Sequence, residues 1–69
     1  MPIYLAELNT DYIIRQITGT DKVKAHLNNL GFIIGEPVRL ITKVNDSVIL
    51  KIRGVSLAIS EELAKRILV

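Results

Sequence analysis

The 69-residue chain has no cysteine, no tryptophan, one phenylalanine (Phe32), one histidine (His26) and two tyrosines (Tyr4 and Tyr12). Without thiols no disulfide braces a small core, and thiolate metal sites are excluded. A reducing cytosol fits that composition. One histidine and no cysteine cannot close a transition-metal site. Scarce aromatics leave little with which to stack nucleic-acid bases. No window holds the ~20 consecutive apolar residues that a membrane span needs. The opening Met1-Pro2-Ile3-Tyr4-Leu5-Ala6-Glu7 has no basic region and soon meets an acid, so it does not read as a signal peptide. A dominant charge is missing as well. Nine Lys and Arg face seven Asp and Glu, for a formal net charge of +2. The basic residues are scattered singly or in pairs, and the calculated pI of 9.2 overstates this excess. Nucleic-acid binding usually concentrates such charge in a patch.

What is present is aliphatic. Hydrophobic residues make up 49% of the chain, mostly Ile, Leu and Val, which is enough to build a core. The length allows one domain, residues 1–69. A chain this short buries only ~60% of its unfolded surface. Abundant β-branched residues favour a small aliphatic β-rich fold.

Pro2 to Leu8 is apolar and short, either a strand or a single helical turn docked on the core. Tyr12 to Thr18 reads as a strand. Thr20 or Asp21 caps a helix whose apolar positions Val23, Leu27 and Leu30 share one face. Gly31 stands where a left-handed residue ends a helix, and Phe32 follows at the position that touches Leu27 in a Schellman stop. Gly35 makes a second turn and Pro37 bars further helix. Val38–Val44, Ser47–Arg53 and Ser56–Ile59 read as three strands of a meander, joined at Asn45-Asp46 and Gly54-Val55. Ser60 caps a helix from Glu61 to about Ile67, and Leu68-Val69 can add a terminal strand. Val38, Leu40 and Val44 are expected inside, as are Val48, Leu50 and Ile52. Counting from the Asn45-Asp46 turn pairs Val44 with Ser47 and Thr42 with Ile49, but then sets outward Ile41 beside inward Leu50. A bulge or a longer loop restores the alternation. Ile41 and Ile49 are apolar surplus, awaiting either a covering element or a partner.

Chemistry is hard to find. His26 lies at the margin of the helix stripe, with no orienting acid or nucleophile in evidence, and reads as a surface or partner-contacting residue. Glu61 and Glu62 diverge on a helix and suit its N-terminus. The Gly31-to-Gly35 stretch is no phosphate loop: it precedes a strand, and Glu36-Pro37 stands where Gly-Lys-Ser/Thr would end the motif.

Leu27-x-x-Leu30-Gly31-Phe32-x-x-Gly35-x-x-Val38 resembles the signature of the ferrous iron transport protein A (FeoA) family. The resemblance continues through Val48–Arg53, Gly54, Leu57-Ala58-Ile59, Glu62, Ala64, Ile67 and Val69, and includes the opening Tyr4-Leu5-Ala6-Glu7-Leu8. It implies an SH3-like small β-barrel, mainly β with two short helices. It departs from the family at His26, where many members carry Arg, and in the short hairpin at Asn45-Asp46. The implied function is that of a cytoplasmic, non-enzymatic accessory of ferrous iron uptake, with transition metal ion binding among the properties the resemblance suggests, while the residues themselves supply no cofactor site and no full metal-ligand set. Its implied partner is the cytosolic GTPase-containing part of a FeoB-type transporter. It would meet the membrane only through that transporter, and no nucleic acid. Alternatives are the regulatory domain of a metal-dependent repressor, or a nucleic-acid-binding small barrel. Met1 leads directly into the fold, which favours the free-standing accessory. The expected contact surface is the first helix and its exit (Lys22, His26, Leu27, Leu30 and Phe32, with Ile41 and Ile49 as apolar additions), although Leu27 and Leu30 equally suit a core. Gly31, Gly35 and Gly54 are expected to be structural turns.

Overall fold

A computed structural model describes residues 1–69. A 3-10 turn at Ile3–Leu5 opens the chain. Strands β1 (Asp11–Ile13) and β2 (Gln16–Ile17) lead to helix α1 (Asp21–Asn29). The meander β3 (Pro37–Val44), β4 (Ser47–Ile52) and β5 (Val55–Ser60) follows, then helix α2 (Glu61–Ala64) and β6 (Ile67–Leu68). The strands form two antiparallel sheets, one in the order β1-β3-β4-β5 and the other β2-β6. Between them lies one core of 14 buried residues, every one apolar.

The helix stop forms as the sequence expects. Thr20 Oγ1 accepts the Val23 N–H at 3.2 Å, capping α1. At the other end Gly31 has φ +106°. The Phe32 N–H donates to the Leu27 carbonyl and the Gly31 N–H to the Asn28 carbonyl, each at 3.0 Å. These are the two hydrogen bonds of a Schellman motif, and its hydrophobic pair, Leu27 and Phe32, is fully buried.

Of the bulge and the longer loop, the structure has the bulge. Val44 pairs with Ser47 and Thr42 with Ile49, then the register shifts so that Leu40 meets Leu50. Ile41 is the extra residue, and the inward set Val38, Leu40, Val48, Leu50 and Ile52 stays in phase. Val44, expected inside, is 51% exposed, because the bulge reverses the alternation beyond it. Lys43 takes the inward phase instead and lays its Nζ over the Tyr4 ring, 4.1 Å from the centroid.

Three boundaries differ from expectation. The single strand Tyr12–Thr18 is two strands. The Ile14 N–H donates to Glu36 beside the first sheet, while the Arg15 N–H donates to Leu68 in the second. The chain therefore changes sheets between adjacent residues. The last hairpin turns on Arg53-Gly54, one residue earlier than expected. Ile52 pairs with Val55, and the two turn residues have φ +52° and +80°, the positive pair that a type I′ turn requires. Finally, α2 stops at Ala64, because Ile67 is needed to pair with Ile17. The N-terminal segment takes the helical-turn alternative, with Ile3 fully buried.

Leu27→Ala should destabilise the domain by about 2–5 kcal/mol, since it opens a cavity in a closed core. Gly31→Ala should lose about 1–2 kcal/mol, because a Cβ would make only ordinary contacts with Arg53 and Ile52 but the backbone is left-handed. Denaturant unfolding of both variants checks the order.

Asp11 supplies a pH signature. Arg39 hydrogen-bonds both its carboxylate oxygens, at 2.8 and 3.1 Å, and so holds the Asp11 carboxyl below its ordinary pKa. A lowered folded pKa gives stability that is present above the ordinary aspartate range and lost as pH falls through the folded value. Asp11→Asn should therefore be less stable than the parent at neutral pH and converge with it in acid. Salt should shrink the gap, because the pair is exposed. Thermal melts across pH and ionic strength measure both effects.

Candidate partner-binding surface

Helix α1 presents Lys22 and His26 to solvent, one helical turn apart. Between them and α2 runs a shallow groove of about 300 Å³ lined by Lys22, Val23, His26 and Leu63. Val23 and Leu63 are half-buried and pack on the core, forming its apolar floor. Ser60 Oγ accepts the Leu63 N–H at 3.2 Å, which sets the start of α2 and thereby the position of Leu63. Glu61 and Lys65, at the two ends of α2, pair with each other and do not line the groove. Lys65 Nζ lies 3.2 Å from Glu61, lowering the Glu61 pKa and raising its own.

The structure divides the expected contact residues. Lys22 and His26 reach the surface together. Leu27 and Phe32 have no exposed surface and leave the candidate set; they are the hydrophobic pair of the helix stop. Leu30 is half-buried against the core. Ile41 is half-buried in the bulge, and half-buried Ile49 stands on the outer face of the main sheet between Thr42 and Ala58. Neither lines the helical groove. Gly31, Gly35 and Gly54 all have positive φ, as turns require.

Sequence reasoning passed over Leu63, whose place beside α1 depends on the tertiary fold. It also passed over Ile33 and Ile34, 40% and 61% exposed in the loop after Phe32. Those two were legible as a surplus, since the helix stop needs only Phe32.

A second, polar groove of about 380 Å³ crosses the outer face of the main sheet. Asp11, Arg39 and Lys51 lie side by side on β1, β3 and β4. Asp11 is taken by Arg39, so Lys51 and the nearby Arg53 make no ion pair. No three His, Asp or Glu side chains gather where they could hold a metal ion. No helix is long and apolar enough to cross a membrane.

A short bulged antiparallel meander closed by a second small sheet is the architecture of an SH3-like domain. The FeoA domain model matches residues 1–69, and the chain belongs to that family, which is associated with ferrous iron transport. Among solved structures, a FeoA described as an iron uptake regulatory protein is similar at TM-score 0.87 and 22% identity, covering 97% of this chain and 91% of that one. Stenotrophomonas maltophilia FeoA, solved with zinc and described as an SH3 domain protein, is similar at TM-score 0.83 and 23% identity, covering 99% and 87%. A manganese-dependent transcriptional repressor shares the fold at TM-score 0.86 and 8% identity, with 97% of this chain matching 39% of that one. Among proteins of curated function, none matches this sequence.

His26→Ala and Lys22→Ala should each leave stability within about 0.5 kcal/mol of the parent, because both side chains are exposed and unpaired. Urea unfolding of the two variants tests this; a larger loss at His26 would move it from surface to structure.

Proposed function

We propose that this domain is a non-enzymatic accessory of ferrous iron uptake that works in the cytoplasm. It binds the cytosolic, GTPase-containing part of a FeoB-type transporter. The observation that carries this reading is the family match over the whole chain. The similar Stenotrophomonas maltophilia protein is described as a candidate activating factor of ferrous iron transport, which points the same way. The surface agrees with such a role. A half-open apolar floor of Val23 and Leu63, rimmed by Lys22 and His26, suits an apolar side chain of a partner with a polar or acidic neighbour. Leu30 extends the helix edge, while Ile41 and Ile49 lie on different strands and would serve a second contact. Iron binding by this chain is no part of the proposal: it has one histidine and no cysteine, and its carboxylates do not converge.

Calorimetric titration of the cytosolic transporter domain with this protein, with GTP and with GDP, tests the reading. Saturable binding is expected, and Lys22→Glu combined with His26→Ala should weaken it about tenfold, or 1.4 kcal/mol. Absence of binding to both the isolated domain and the full transporter would sink the proposal.

A further inference from the structure

Strand β5 is the last of its sheet and pairs with β4 alone. Its free edge can be worked out from the hairpin. The two-residue Arg53-Gly54 turn makes Ile52 and Val55 a hydrogen-bonded pair, so alternate residues Leu57 and Ile59 also turn their backbone groups towards β4. Ser56 and Ala58 therefore direct their N–H and C=O groups away from the sheet. No backbone or side-chain hydrogen bond outside the strand ladder reaches either residue, and both are exposed. The strand carries no charge and no proline, so the usual edge protection is absent.

Lys51 stands next to this edge without an ion-pair partner, paired across the ladder with Ser56. Half-buried Ile49 pairs with Ala58 in the same way. Ser56 and Ala58 are short, so side chains on an added strand can reach over them to Lys51 and Ile49. The span is about 10 Å, two strand spacings, within reach of a lysine and a glutamate extended towards each other.

We propose that the free edge of β5 binds an extended, antiparallel strand of a partner protein that carries an apolar residue and, two residues later, an acid. The apolar residue sits opposite Ala58 and covers Ile49. The acid sits opposite Ser56 and pairs with Lys51. Backbone hydrogen bonds supply the attachment, and these two side chains supply the choice of sequence. A second copy of this chain is the poorer occupant, because its own β5 offers no acid to Lys51. This edge is separate from the groove between α1 and α2, shares only Ile49 with the second contact proposed above, and stands without the transporter reading.

The probe is the synthetic peptide acetyl-Thr-Val-Thr-Glu-Thr-amide, titrated into the full-length protein labelled with nitrogen-15. Saturable shifts are expected at the Ser56 and Ala58 amides and at their neighbours on β4. Methylating the peptide nitrogens of its Val and Glu should abolish binding, since those nitrogens face the β5 edge. Lys51→Gln should weaken binding roughly two- to fivefold, the effect of one exposed ion pair. Ala58→Pro should abolish it while keeping the ladder to β4, because that N–H points outward. Equal binding of the methylated peptide, shifts confined to Lys22 and His26, or no saturation at millimolar peptide would each overturn the proposal. Self-association through β5 in the absence of peptide would overturn it in favour of a second copy.

Discussion

Everything in this domain depends on how α1 ends. Two hydrogen bonds at Gly31 reverse the chain in three residues, and the reversal buries Leu27 and Phe32 in the same core. Phe32 is the only phenylalanine and the largest fully buried side chain, so the core forms around the helix exit. No ordinary residue takes the Gly31 conformation without strain. A misplaced exit would also displace the loop through Gly35, whose N–H donates to Ile14 at 2.8 Å at the point where the chain passes between sheets.

The bulge at Ile41 is the second constraint, and it divides the surface. Before it, β3 and β4 alternate cleanly, with Arg39 and Lys51 outward. Beyond it, Val44 is released to solvent and Lys43 is brought over Tyr4. One extra residue thus sets the end of the sheet near α2 as well as its own strand. It also keeps Leu40 opposite Leu50, so the core contains no polar side chain.

Two separate features carry the contacts proposed for this domain. One is the groove between α1 and α2, built from side chains of elements far apart in sequence. The other is the backbone edge of β5, with Lys51 and Ile49 beside it. They use different physics: the first offers an apolar floor with a charged rim, the second unpaired backbone groups in register. The family's association with iron transport bears on the first through the proposed transporter contact. The edge of β5 follows from hydrogen-bond geometry alone.

Much of this was legible in the residues. The Schellman stop, the Thr20 and Ser60 caps, the two helices, the meander and even the bulge follow from local rules: a glycine at the right offset, period-2 alternation and a count from a turn. The family could also be named from spacing, because most of the signature consists of turn glycines and core aliphatics. Two members of the expected interface are interior for the same reason. Leu27, Leu30 and Phe32 carry the signature, yet a conspicuous spacing marks a joint as readily as a surface, and Leu27 and Phe32 are wholly interior. Local chemistry determined which residues turn, cap and alternate. Only the tertiary structure decided the pairing of Ile17 with Ile67, the sheet change at Ile14 and Arg15, the meeting of Leu63 with α1 and the open edge of β5. Those outcomes depend on which distant segment satisfies each backbone group and covers each apolar face, and no window of neighbouring residues contains that information.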